Sequence, residues 1–254
     1  MKKLLSLLFA APLLLCIFII SATAKTNRTH ISEPLSDERT VKDFSSVAAG
    51  GPIHVVIKMG NSESLRFEGD AEAIATLVAE VKGSTLIIRP KTSWISWAKK
   101  YEGKKITAYV TAKQITALTM SGDGSIVVSG VIKAADFTLT LSGSGSIQAS
   151  IDTDEIEGIV SGSGNALIDG RAAQANVTLS GAGTFGSKSL TVDELSARIS
   201  GKGNINITCN RKIKAFISGS GHIYYAGDPE IQKTVIGTGG LSKRGAGKIP
   251  ATKI

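Results

Sequence analysis

From residue 118 to residue 243 the chain alternates apolar and polar positions, and a Ser-Gly-x-Gly turn breaks the alternation at near-equal intervals. The copies begin at Ser121, Ser142, Ser161, Ser180, Ser200 and Ser218, and a degenerate seventh begins at Ile236. Their first positions lie 21, 19, 19, 20, 18 and 18 residues apart. The position before each copy is Met120, Leu141, Val160, Leu179, Ile199, Ile217 or Val235, and the position five after its start is Ile126, Ile147, Ala166, Phe185, Ile205, Ile223 or Leu241. All fourteen are apolar. Side chains two apart on a strand share a face, so each repeat reads as strand, glycine turn and strand with one face directed inward.

A unit of this size cannot bury its own apolar face, but stacked units bury theirs against one another. The expected fold is therefore all-β: a single-stranded, β-helix-like solenoid of about seven coils of ~19 residues, preceded by a shorter irregular β region. A meander closing into a sandwich or barrel is the competing arrangement. The solenoid is preferred because the register returns once per repeat, without alternation between successive copies. Gly122, Gly124, Gly143, Gly145, Gly162, Gly164, Gly181, Gly183, Gly201, Gly203, Gly219 and Gly221 are then structural corner residues.

Upstream, residues 41–117 carry shorter strand signals at Pro52–Met59, Leu65–Phe67, Thr85–Ile88 and Ile106–Val110. Residues Ala71–Val81 fit a short helix or a strand equally well. Residues Lys91–Lys105 break the pattern with Trp94, Trp97, Tyr101, Lys99, Lys100, Lys104 and Lys105, and read as an exposed insertion. Residues 25–40 are polar and aperiodic, as in a linker, and residues 244–254 read as a flexible tail.

Residues 1–24 have the form of a signal peptide: Lys2 and Lys3, an apolar run Leu4–Ile20, then Ala22-Thr23-Ala24. The expected mature start is Lys25, with no membrane span after cleavage. Leu15 before Cys16 does not fit lipoprotein processing, so lipidation is not expected. The destination is periplasmic, outer-membrane-associated or extracellular. Cys209 is then the one mature cysteine, expected in the core and excluded from an intramolecular disulfide. The formal charge of +8 includes Lys2 and Lys3 and is spread along the chain. It favours anionic partners, with nucleic acid the least expected after export.

Candidate chemistry is sparse. His30, His54 and His222 have no metal-site or nucleophile–base spacing. Asp123 sits alone among turn residues Ser144, Ser163, Ala182, Lys202 and Ser220, so calcium, which needs six to eight oxygens, has no ligand ladder. No metal and no cofactor are expected. Asp152, Asp154, Glu155 and Glu157 form an acidic cluster, read as a solvated inter-turn loop. Trp94, Trp97, Tyr101, Lys99 and Lys100 are the candidate ligand-binding residues, because aromatics beside lysines stack on sugars. The competing reading places the tryptophans against the β core with the lysines solvated.

The leader, the opening Phe44-Ser-Ser-Val and the tandem Ser-Gly-Ser-Gly coils resemble the auto-transporter adhesin family with the head GIN domain, over roughly Val41–Leu241. The resemblance implies an exported β-helical domain of the cell envelope and supplies no catalytic residues. The functional expectation is a non-enzymatic adhesin-like or scaffolding module that binds a surface glycan or an envelope protein. The alternative is a polysaccharide lyase or hydrolase on a β-helix, using displayed carboxylates.

Overall fold

A computed structural model describes residues 35–244. Residues 1–24, read as a signal peptide with Cys16, lie outside the described residues, as do His30 and residues 245–254 of the expected tail.

In chain order the elements begin with β1 (Leu35–Arg39), β2 (Ser46–Gly50), β3 (His54–Met59), β4 (Ser64–Gly69), α1 (Ala71–Ala75), β5 (Leu77–Lys82) and β6 (Thr85–Pro90). They continue with α2 (Trp94–Lys100), β7 (Ile106–Ala112), β8 (Ala117–Gly122), β9 (Ser125–Gly143), β10 (Ser146–Gly162), β11 (Asn165–Gly181) and β12 (Thr184–Gly201). The last are β13 (Asn204–Gly219), β14 (His222–Ala226), β15 (Glu230–Gly237) and β16 (Gly240–Lys243).

The result is a parallel β-solenoid of about seven turns. β9, β10, β11, β12 and β13 each carry most of one coil and pair with their neighbours in parallel. Motif glycines fall opposite one another, as in Gly143↔Gly162, Gly162↔Gly181 and Gly181↔Gly201. The unequal repeat lengths are absorbed by register shifts away from the motif corner, such as those between Gln148 and Ser150 and between Gly186 and Thr191.

Period-two alternation within each coil sends alternate side chains inward. In β10 these are Ile147, Ala149, Ile151, Thr153, Ile156, Gly158 and Val160. Stacking converts them into columns such as Leu141, Val160, Leu179, Ile199 and Ile217, all 1% exposed or less. Burying each such aliphatic side chain contributes about 1.5–3 kcal/mol. The twelve flanking positions of the six full motifs are all buried, and Val235 and Leu241 beside the degenerate copy are partly buried.

The motif corner requires glycine twice. Its first glycine has φ between +111° and +121° in every copy from Gly143 to Gly237, a region that side-chain-bearing residues avoid. Its second glycine passes over the carbonyl of the coil beneath. A Cβ on Gly145 would lie 2.5 Å from the Gly124 oxygen. That closeness serves the hydrogen bonding: Ser144 and Gly145 N–H both donate to the Gly122 carbonyl, at 3.1 and 2.9 Å, and Ser163 and Gly164 repeat this on Gly143 at 3.0 and 2.9 Å.

The ladder extends one step further than the motif. Gly124 N–H donates to the Gly51 carbonyl at 3.1 Å, so Gly50-Gly51-Pro52 occupies the corner of an additional coil formed by β2 and β3. Chain order and spatial order differ here. β2 lies between β6 and β8, and β3 lies between β7 and β9, so residues 60–112 leave the first coil and fold behind it. The far side is closed by antiparallel pairs, β5 on β6, β4 on β7 and β1 on β4.

Two sequence expectations need correction. The linker 25–40 is not aperiodic to its end, because Leu35–Arg39 is strand β1. It pairs by backbone on an edge, where no apolar alternation is required. Ala71–Val81 is neither helix nor strand throughout: Asp70 caps a one-turn α1 by accepting from Ala73 N–H at 3.1 Å, and strand β5 begins at Leu77.

Candidate functional site

Outward-facing residues also stack into columns, and one face of the solenoid carries a groove of about 630 Å³. It is built on the strand segments that run into the motif corners in β10, β11, β12, β13 and β15. Two columns form its floor and walls. The first contains Glu157, Asn176, Ser196, Lys214 and Gln232. The second contains Ile159, Thr178, Arg198, Phe216 and Thr234.

Side-chain size changes along the second column. Thr178 is followed by Arg198 and then Phe216, with the Arg198 guanidinium carbon 5.1 Å from the Phe216 ring centre. The next residue, Thr234, is short. Arg198 and Lys214 are exposed on the outward columns, Lys233 is exposed but follows the inward-facing Ala215 in register, Phe216 is half-buried, and Glu157 is the one carboxylate among the groove's described lining residues. None of the three cations is in an ion pair among the described residues. The sequence reading did not single out this groove. Its signal lay two positions before each motif, where Thr, Ile and Thr give way to Arg198 and Phe216.

The insertion is the one-sided helix α2 with its flanks. Trp97 and Tyr101 are 3% and 7% exposed, so neither presents a face to a ligand, contrary to their reading as exposed stacking residues. Their separation of four places both on the side of α2 that packs on the β core, with ring centres 5.2 Å apart. The Trp97 indole N–H donates to Thr76 Oγ1 at 2.7 Å. Lys99 and Lys100 are exposed, and the Lys100 ammonium lies 5.0 Å from the Tyr101 ring centre. Trp94 opens the helix after Ser93.

The acidic cluster lies in strand β10, not in a loop, and two of its members, Asp152 and Glu155, have partners one coil on. Asp152 accepts from Arg171 Nε at 2.6 Å and from Nη2 at 3.2 Å, and the guanidinium holds its carboxyl below the ordinary range. Glu155 accepts from Asn176 at 2.6 Å. On the following coils, Asp193 accepts from Asn210 at 3.1 Å and Glu194 pairs with Arg211 at 3.2 Å. This is the pattern of charges neutralised between rungs. A general acid instead needs a carboxyl pushed upward, and Asp152 moves the other way.

His54 points outward, with Nδ1 2.8 Å from Ser125 Oγ, and His222 Nδ1 lies 3.0 Å from the Ser220 carbonyl. Cys209 is fully buried in the coil interior. Burial pushes its thiol up, and Sγ donates toward the carbonyls of Lys212 and Asp193 at 3.2 and 3.4 Å. Among the described residues, no helix is long and apolar enough to cross a membrane.

These features define a glycine-cornered parallel β-solenoid whose distinctive chemistry lies on an outer face. The chain belongs to the family described as "Putative auto-transporter adhesin, head GIN domain", whose model matches residues 43–229. Among solved structures it is similar to a putative adhesin from Bacteroides fragilis, at 20% identity and a TM-score of 0.74, over 84% of this chain and 98% of that one. A putative lipid binding protein from Parabacteroides distasonis is similar at 22% identity and a TM-score of 0.66, over 85% and 98% of the two chains. A putative adhesin from Parabacteroides merdae is similar at 20% identity and a TM-score of 0.65, over 85% and 98%. At these identities the structures establish the shared fold. No curated protein matches the sequence.

Proposed function

We propose that this chain is an exported, non-enzymatic binding module of the cell envelope, adhesin-like in action. The observation that carries the reading is the continuous outer face, on which aligned columns of polar side chains open into the groove at Arg198 and Phe216. A rigid stack of coils holds such columns at a fixed spacing, which suits an extended partner better than a small substrate. Of the carboxylates that a β-helical glycosidase or lyase would use, Asp152 and Glu155 are engaged by Arg171 and Asn176, and Asp193 and Glu194 by Asn210 and Arg211. The family assignment and the adhesin descriptions of its structural relatives agree with the reading.

The test has two arms. Cells expressing the full chain are fractionated, and the N-terminus of the envelope-associated protein is read by mass spectrometry; the expected start is Lys25. The purified protein is then tested for retention on isolated envelope polysaccharide and for product release from a polysaccharide panel. Retention without products is expected. Catalytic turnover abolished by Asp152→Asn with Asp154→Asn would establish the enzyme instead.

A further inference from the structure

We propose that the Arg198–Phe216 groove binds an acidic polysaccharide, whose uronate carboxylates meet Arg198 and Lys214 while a pyranose ring lies against Phe216. This deepens the binding-module reading and rests on it.

Charge is the first argument. Two exposed cations, Arg198 and Lys214, stand in the outward columns of the groove against one carboxylate, Glu157, and neither is paired among the described residues. Elsewhere on the same coils, cations such as Arg171 and Arg211 are matched to acidic neighbours. An unmatched set in a groove is complementary to an anion.

The second argument is the aromatic. Phe216 is half-buried, the Arg198 guanidinium lies over one face of its ring, and the next residue of the column is the short Thr234. A partly exposed ring beside hydrogen-bonding side chains is the arrangement that takes the apolar face of a sugar. Asn176, Ser196 and Gln232 supply the hydrogen bonds that hydroxyl groups need.

The third argument is periodicity. Strands in the stack lie about 4.8 Å apart, so one polar residue of each column recurs at that interval along the solenoid axis. A hexose in an extended chain advances by a similar distance. A polysaccharide lying across the strands therefore meets one rung per sugar, and Arg198 and Lys214 fall on two successive coils, with Gln232 and Thr234 on the next.

The probe is a polygalacturonate oligomer, with a neutral gluco-oligomer of equal length and vesicles containing phosphatidylglycerol as comparisons, measured by titration calorimetry on the purified protein. Polygalacturonate is expected to bind, to weaken with added salt, and to outbind the neutral oligomer. R198Q and K214Q are each expected to weaken it by about tenfold or more. F216A is expected to weaken it by about threefold to tenfold. K58Q, on a different part of the stack, serves as the control and is expected to retain full affinity, and circular dichroism verifies the fold of every variant.

Binding unchanged in R198Q, K214Q and F216A overturns the proposal. So does binding of vesicles, but not of polygalacturonate, through those residues, which would make the face a membrane contact. Absence of binding to polygalacturonate by a protein that is still retained on envelope material also overturns it, while leaving the binding-module reading in place.

Discussion

Replacing Gly158 by alanine directs a methyl group into the ring of Phe185. Gly158 occupies an inward position of β10, and Phe185 belongs to the next column round the corner, two coils on from Ile147. Ala166 lies directly beneath Phe185 in the register, so the ring leans over the small Ala166 and fills the space that a side chain at 158 would take. A Cβ there would lie 2.9 Å from Cζ and 3.0 Å from Cδ2, and nearer still to Cε2. Carbon atoms pack at about 3.5–4.0 Å, so the ring must move by more than about 1 Å inside a closed stack. Overpacking of this kind costs about 1–3 kcal/mol. In a domain of this size that lowers Tm by about 2–4 °C per kcal/mol. Phe185→Ala errs in the opposite direction, leaving a void and costing about 3–5 kcal/mol. Combining Gly158→Ala with Phe185→Leu removes the clash, so the pair should fall short of the summed single effects by about 1 kcal/mol or more. The assay is chemical denaturation followed by far-ultraviolet circular dichroism and by fluorescence of Trp94 and Trp97. Coincidence of the two signals checks that the solenoid and the N-terminal region unfold together. A neutral Gly158→Ala, or strict additivity in the double variant, would refute the ring-and-slot account.

Other outcomes follow from the same geometry. Gly162→Ala should destabilise by about 2 kcal/mol or more, because φ is +115° and the new Cβ meets the Gly143 carbonyl, whereas Ser163→Ala at the variable turn position should leave the melting curve within about 1 °C. Thr76→Val strands the buried Trp97 indole N–H and should cost about 1–3 kcal/mol, with the tryptophan emission shifted in the folded protein. For Asp152 the folded-state carboxyl lies below its ordinary value of 3.8, so its contribution to stability is present above that value and is lost as pH falls through the folded value. Asp152→Asn should therefore flatten the acid limb of the stability curve below about pH 4, by a small amount because the pair with Arg171 is exposed. Native Cys209 should resist a thiol reagent and react fully after denaturation, located by peptide mass spectrometry.

The solenoid was legible because each repeat writes the same corner and the same two flanking apolar positions, and stacking leaves both in register. The order of the first coils was not. β2 meets β8 across some seventy residues, and nothing local marks Gly50-Gly51-Pro52 as the partner of Ser121-Gly122-Asp123. Strand β1 was missed because an edge strand pairs by backbone and needs no apolar pattern. Of the two readings of the insertion, the one that sets tryptophan against the β core and leaves the lysines solvated fits Trp97, whose spacing of four from Tyr101 points to one face of a helix. The groove was missed because attention to the apolar flanks passed over the outward position beside them, where the change from Thr178 to Arg198 and Phe216 is plain once the copies are aligned.

Folding residues 60–112 behind the first coil gives the molecule a closed origin and a modular remainder. Because successive corners engage one another in the same way, a further 19-residue unit inserted between Gly143 and Gly219 would meet familiar neighbours on both sides. It would lengthen the outer face by about 4.8 Å and leave the N-terminal region untouched. Reach is thus a quantity that duplication can adjust in uniform steps, and the recognition surface can be altered one rung at a time without redesigning its foundation.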